Sequence, residues 1–258
     1  MRIVAVASAK GGVGKTTVTA SLAAALARAG RMVLAADLDP QNALRLHLGL
    51  DPREAGGSAR ATLEGAYWLS ACIAGPRSVV VLPYGQLTED EREAFERRLE
   101  ADPQWLARHL LQLGLPDEAL VLLDTPPGPS VYMRQALAAA DLVLVVTLPD
   151  AASYAALPLM DSLVRRYAGT RPDFLGQFYL INQLDSTRQL SADVALVLRQ
   201  RLGERLLGGI HRDQAVCEAL ACDQSVIDYA PDSLASHDFT VAAATLTRQL
   251  GAQPQVHA

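Results

Sequence analysis

Residues 7–18, ASAKGGVGKTTV, contain both lysines of a 258-residue chain. The chain carries 23 lysines and arginines, so the other 21 basic residues are all arginine. Two ammonium groups five residues apart among Gly11, Gly12 and Gly14 therefore call for a chemical reason. The seven-residue apolar run IVAVASA just ahead (residues 3–9) has the length of a strand, and a helical pattern begins at residue 15. A glycine turn between strand and helix is a phosphate cradle, because backbone N–H groups wrap the anion and the helix start adds partial positive charge. Its glycines permit close approach and φ values that a Cβ would block. Lys15 is expected to reach the β- and γ-phosphates, Thr16 to ligate Mg²⁺ and Thr17 to meet the α-phosphate, with Val13 completing the loop. The general pattern G-x-x-x-x-G-K-[ST] asks for glycine at position 9, where this chain has Ala9.

Outward from the loop, short β-branched runs alternate with helical stretches. The strands are expected at 2–8, 32–37, 78–83, 119–124, 141–147, 176–182 and 205–210, and the helices near 15–29, 42–49, 89–113, 130–139, 152–168, 188–203, 213–221 and 233–250. The strand runs are apolar on both faces, as strands covered by helices on both sides are. This order predicts an α/β fold with a doubly wound, mainly parallel sheet of about seven strands. No Pro/Gly/Ser linker, repeat or low-complexity tract interrupts it, so residues 1–250 read as one domain and 251–258 as a flexible tail.

Ligands of such sheets bind at the carboxyl ends of the strands. Those ends collect the glycine loop, DLDPQ (37–41), DTPPG (124–128) and Asn182. Phosphoryl transfer rests on positioning and charge stabilisation rather than covalent help. Mg²⁺ keeps several waters and takes few protein ligands. Thr16, Asp37 and Asp124 are the expected metal set, the two carboxylates acting through water. An Asp-Pro turn is the plainer reading of 37–41.

The stretch KGGVGKT resembles the deviant Walker A motif of the ParA/MinD ATPases, SIMIBI-type P-loop proteins, and the likeness spans roughly residues 1–250. That resemblance implies that Lys10 crosses a dimer interface to the neighbour's nucleotide while Lys15 serves its own. Lysine, a compact charge on a flexible stem, suits both tasks better than arginine's planar fork. It likens 37–41 to switch I, with Asp39 orienting the attacking water, and 124–128 to switch II. Catalytic roles then fall to Lys10, Lys15 and Asp39. Asn182, in LINQLDSTR, lies where the family reads adenine, and His211, Arg212 and Asp213 lie where a last loop closes over base and ribose. Asn182 is also readable as a strand-end cap, and Asp213 as an N-cap of QAVCEALA.

Three further stretches, VLPYGQLTEDE (81–91), ADLVLVVTLPDAASYAAL (140–157) and IHRDQAVCEALA (210–221), resemble the MinD-like branch of bacterial cellulose secretion systems, the BcsQ-like proteins. This likeness implies an ATP- and Mg²⁺-dependent, slowly hydrolysing homodimer. It further implies a cytoplasmic place, peripheral recruitment to the inner membrane through the secretion complex, and contacts with a small BcsR-like partner and other cellulose secretion components.

Two other readings stay open. A ParA-type partition ATPase would bind DNA non-specifically, and DSTRQLSADV (185–194) resembles the stretch around a ParA switch. Such binding needs several phosphate-contacting cations; Arg165, Arg166, Arg199 and Arg201 are candidates, but charged helix faces are usually just solvated. A net charge of −5 and a pI near 5.5 also argue against a nucleic-acid partner. A MinD-type membrane-cycling ATPase would need a basic amphipathic tail. Residues 234–250 carry an apolar stripe (Leu234, Phe239, Ala243, Leu246, Leu250) with Arg248 as the one basic residue, so they read as a core-docking helix. A small-molecule kinase would need an acceptor pocket and a lid, and no motif for either is present. Cys72, Cys217 and Cys222 form no CxxC pair, which suits a reducing compartment. The scattered histidines give no zinc spacing. The apolar region 136–160 contains Asp141 and Asp150 and reads as strand plus helix rather than a membrane span.

Overall fold

The computed structural model describes residues 1–251; the tail expected over 251–258 lies outside the described residues except for Gly251, which turns at the end of the last helix. Its strands are β1 (Arg2–Ala7), β2 (Val33–Asp37), β3 (Ile73–Ala74), β4 (Val79–Leu82), β5 (Leu120–Asp124), β6 (Leu142–Thr147), β7 (Gly176–Leu184) and β8 (Leu206–His211). Between them run α1 (Lys15–Arg28), α2 (Leu44–His47), α3 (Ser58–Glu64), α4 (Glu89–Ala101), α5 (Trp105–Gln112), α6 (Val131–Ala139), α7 (Ala151–Tyr167), α8 (Gln189–Leu202), α9 (Gln214–Ala221), α10 (Val226–Tyr229) and α11 (Leu234–Leu250).

The sheet order is β3-β4-β2-β5-β1-β6-β7-β8, and every pairing is parallel except β3 with β4. β1 is central, between β5 and β6, so the loop after it opens where the chain's connections diverge to either side. Alternate residues feed separate cores. Ile3, Ala5 and Ala7 pack with Phe95, Trp105, Met133 and Met160 on the α3–α8 side. Val4 and Val6 pack with Leu22, Leu44, Ile227 and Phe239 on the side of α1, α2 and α9–α11. This double coverage is the reason the strands are apolar throughout.

The structure departs from the sequence expectations in four places. The sheet has eight strands, because the two-residue β3 adds an antiparallel edge in the register Ile73↔Val81, Ala74↔Val80. The single helix expected over 89–113 is two, since α4 stops at Ala101 and α5 starts at Trp105. Pro103 has no N–H and forces Asp102 out of helical geometry (φ −133, ψ 86). The strand expected to end at Asn182 runs on to Leu184 through an irregular register with Gln183 at φ 56, so Asn182 is not a strand-end cap. The short α3 and α10 carry too few residues to show a period.

The stripe of α11 turns inward, with Phe239, Ala243, Leu246 and Leu250 buried and only Leu234 exposed. No helix among the described residues is long and apolar enough to cross a membrane.

Candidate functional site

The loop 8–14 leaves β1 and enters α1 through Gly14, which takes the left-handed conformation (φ 83, ψ 30) at the N-cap. Gly12 is also left-handed (φ 73). The Ser8 hydroxyl donates to Lys10 O at 2.7 Å and ties the loop's entry. Asn182 braces it from β7: its Nδ2 donates to Val13 O at 2.8 Å. A Cβ on Gly14 would stand 2.5 Å from that same nitrogen. The residue expected to read a base thus holds the phosphate loop in shape.

Lys15 begins α1 with only 7% of its surface exposed. Burial lowers its pKa, and the negative charges of Asp124 and Asp39 pull back against that shift. Lys10 behaves differently. It is 41% exposed, and its Nζ lies 3.0 Å from Asp150 Oδ2. Asp150 is the N-cap of α7, accepting from Ser153 N at Oδ1. Although partial burial opposes it, the Ser153 amide and the Lys10 ammonium hold the Asp150 carboxyl below its usual range.

Asp37 and Asp124 are register partners at the ends of β2 and β5, and both are fully buried. Asp37 is fixed by backbone: Oδ1 accepts from Asp39 N at 2.9 Å and Oδ2 from Leu44 N at 3.0 Å. Burial raises its pKa well above normal, and the neighbouring Asp124 charge adds to the shift. Burial likewise raises that of Asp124, against the pull of Thr16 and Lys15. Asp124 Oδ1 lies 3.2 Å from the Thr19 hydroxyl, while Oδ2 has no hydrogen-bond partner. A buried, unpartnered carboxylate oxygen beside a second buried carboxylate fits a divalent cation held through water, with Thr16 on the same side.

Asp39 is half-buried, its Oδ1 accepting from Gln41 N at 3.0 Å in an Asp-Pro turn. Thr125 donates to Val6 O at 2.9 Å, and Gly128 N donates to Ser8 O at 3.1 Å, so the 124–128 segment is pinned to the phosphate loop. Thr17 sits on the first turn of α1.

At the far side, the 211–213 segment is committed to packing. One oxygen of Asp238 accepts from His211 N at 2.9 Å and meets His211 Nδ1 at 2.8 Å. Arg212 N donates to Leu184 O at 2.8 Å. Asp213 caps two helices, accepting from Ala215 N at 2.9 Å and from Ala235 N at 3.1 Å. Its carboxylate is therefore the structural N-cap that the sequence offered as the alternative, while the Arg212 side chain stays 62% exposed.

Three supporting residues escaped the sequence reading. Thr19 links Lys15 O to Asp124; its i+4 spacing from Lys15 was the available signal. Asp150 precedes a helix, which was the available signal for its cap, and nothing local marks it as the partner of a lysine 140 positions away. Asn42 is buried at φ 53 with Oδ1 accepting from Tyr84 N at 3.1 Å, and nothing local announces that contact. A cavity of about 1140 Å³, with Arg165, Gln177 and Arg205 in its wall, opens at the opposite end of the sheet, away from every group above.

Comparison with known proteins agrees with this geometry. The family profile described as "Cellulose biosynthesis protein BcsQ" matches residues 1–246. The cellulose biosynthesis protein BcsQ of Salmonella typhimurium is 34% identical over 246 residues, covering 92% of this chain and 91% of that one. The chromosome-partitioning ATPase Soj of Thermus thermophilus is 32% identical over 256 residues, covering 93% and 92%. Among solved structures, cobyrinic acid a,c-diamide synthase from Mycobacterium smegmatis, with bound ATP analog and magnesium, superposes with a TM-score of 0.77 at 27% identity, covering 100% of both chains.

Proposed function

The chain belongs to the family of cellulose biosynthesis protein BcsQ, a branch of the ParA/MinD-like P-loop ATPases, and from that premise we propose that it is an ATP-driven assembly switch of a bacterial cellulose synthesis and secretion system. The observation that carries this reading is the division of labour between its two lysines. Lys15 is buried at the loop, while Lys10 stands at the surface on a carboxylate of the same chain, available to a second protomer. ATP binds as substrate, with Lys15, Thr16, Thr17 and the loop amides around its phosphates. Thr16, Asp37 and Asp124 hold Mg²⁺, which supplies charge neutralisation on the phosphates. Asp39 positions water for attack. Asn182 and the 211–213 segment border the base.

Two protomers close on two nucleotides, each lending Lys10 to the other. Hydrolysis is slow, and its output is assembly state: loss of the γ-phosphate releases the 37–41 and 124–128 segments and with them the dimer. The protein works in the cytoplasm and reaches the inner membrane through its partners, a small BcsR-like protein among them.

Light scattering with and without ATP tests the core of this. Wild type should dimerise on ATP, and Lys10→Ala should keep nucleotide binding but stay monomeric. An unaffected dimer in that variant removes the crossing-lysine mechanism. Co-purification of cellulose synthase components that depends on ATP supports the cellular role; length-dependent, sequence-independent DNA binding in its place would transfer the protein to the partition class.

A further inference from the structure

The stretch VLPYGQLTEDE has no part in the nucleotide chemistry above, yet it is built into the site from behind. β4 delivers Pro83 and Tyr84 to the same sheet end as Asp37 and Asp124. One neighbouring stretch, residues 55–59, holds the backbone there. Ser58 N donates to Pro83 O at 2.8 Å, Ala59 N to Tyr84 O at 2.9 Å, and Gln86 N to Ala55 O at 3.0 Å. The approach is so close that a Cβ on Gly57 would fall 2.2 Å from Gly85 N. Tyr84 is therefore tied at its main chain to that stretch, and its amide and its phenol reach different places.

Its amide meets Asn42 Oδ1 at 3.1 Å. Asn42 ends the DLDPQ turn, its own N–H donating to Asp39 O at 2.8 Å. The phenol lies 2.8 Å from the Tyr132 hydroxyl, which donates in turn to Glu96 Oε1 at 3.1 Å. Tyr132 is the second residue of α6, the helix that starts at Val131, separated from the DTPPG segment by two residues. Both phenols are nearly inaccessible to solvent, 2% and 4% exposed, and their rings meet edge-on with centroids 5.7 Å apart. Burial, with the nearby Glu96 and Asp39 charges behind it, pushes the Tyr84 phenol up to about 12, so it stays a neutral hydroxyl at physiological pH.

We propose that Tyr84 is a positioning residue that couples the two phosphate-sensing segments, its amide gripping 37–42 through Asn42 and its hydroxyl gripping 124–132 through Tyr132. This rests on the ATPase reading for its consequence and on the contacts alone for its mechanism. Neither segment can shift without stretching a buried hydrogen bond, and a buried polar group left unpaired is costly. The two segments therefore respond to the γ-phosphate as one unit, and the discrimination of ATP from ADP depends on the bridge.

Tyr84→Phe tests this with the ring packing kept. ATP and ADP affinities are measured by calorimetry on the full chain. The ratio favouring ATP should fall about 2- to 10-fold, the worth of one buried hydrogen bond, with ADP affinity unchanged. Tyr132→Phe should do the same, and the double variant should do no more than either, because both cut one connection. A ratio left intact in both single variants, or effects that add in the double variant, overturns the proposal. Hydrogen exchange on the ligand-free protein is the second arm. Either variant should speed exchange in both 37–44 and 124–133, whereas acceleration in only one of those two segments overturns the coupling. A wild type without nucleotide affinity would refute the ATPase reading, and the exchange arm would still decide the bridge.

Discussion

Replacing Gly14 with alanine should do two separable kinds of damage to the phosphate loop. The first is conformational: Gly14 sits at φ 83, where an L-residue pays about 1–2 kcal/mol. The second is a collision, since the new Cβ would stand 2.5 Å from Asn182 Nδ2 and must displace the amide that donates to Val13 O at 2.8 Å. Leaving that buried carbonyl unsatisfied costs about 1–3 kcal/mol. Gly14→Ala is thus expected to destabilise by about 2–5 kcal/mol. Asn182→Ala loses the same hydrogen bond without the backbone strain, about 1–3 kcal/mol. Once Asn182 is gone the alanine has nothing to strike, so the double variant should lose about 2–5 kcal/mol, short of the sum of the singles by the value of the shared bond. Urea unfolding of the ligand-free protein measures all three, with equal m-values as the check on two-state behaviour. ATP affinity should fall in every variant, because the loop amides lose their common geometry. If the two substitutions add to within about 0.5 kcal/mol, the Asn182 brace is not what shapes the loop, and its role must be sought at the base.

Lys15→Ala should abolish nucleotide binding in calorimetry, and an unchanged ATP affinity would refute the phosphate role. Asp150→Asn keeps a competent helix cap but frees Lys10; because that pair is about two-fifths exposed, its release should strengthen the ATP-dependent dimer by no more than about fivefold, with the gain vanishing at high salt. A weaker dimer in this variant would mean that Asp150 is needed for closure rather than holding Lys10 back. Asp124→Asn should lose Mg²⁺-dependent nucleotide binding yet make the ligand-free protein more stable at pH 7, since burial raises the Asp124 carboxyl above its ordinary value and its ionised form therefore opposes folding. That advantage should shrink as pH falls through the raised folded-state value toward the ordinary carboxylate range and the folded wild type takes up its proton; a variant less stable at pH 7 contradicts the buried-charge argument.

The phosphate loop was legible in the sequence because its determinants are local. Glycines at 12 and 14 supply left-handed backbone, a short apolar run supplies the strand before them, and helix periodicity begins at Lys15. The doubly wound sheet was legible for a similar reason: strands apolar on both faces must be covered on both. That Asp37 and Asp124 sit at the carboxyl edge of the sheet could be read from their positions at strand ends. Their mutual repulsion could not, since it depends on β2 lying beside β5, a pairing across 87 positions. The same limit applies to Lys10 on Asp150, Asn182 on Val13 and Tyr84 on Tyr132, pairs 140, 169 and 48 residues apart. Asp213 makes the point from the other side. One residue type serves equally to cap a helix or to meet a ribose, and only the arrival of Ala235 N at its second oxygen committed it to packing. Sequence by itself determined which chemical groups gather at the carboxyl edge of the sheet, because that follows from chain-local geometry. Tertiary structure alone decided which of those groups already hold one another, because a hydrogen bond is set by distance in space and the chain carries no record of that distance.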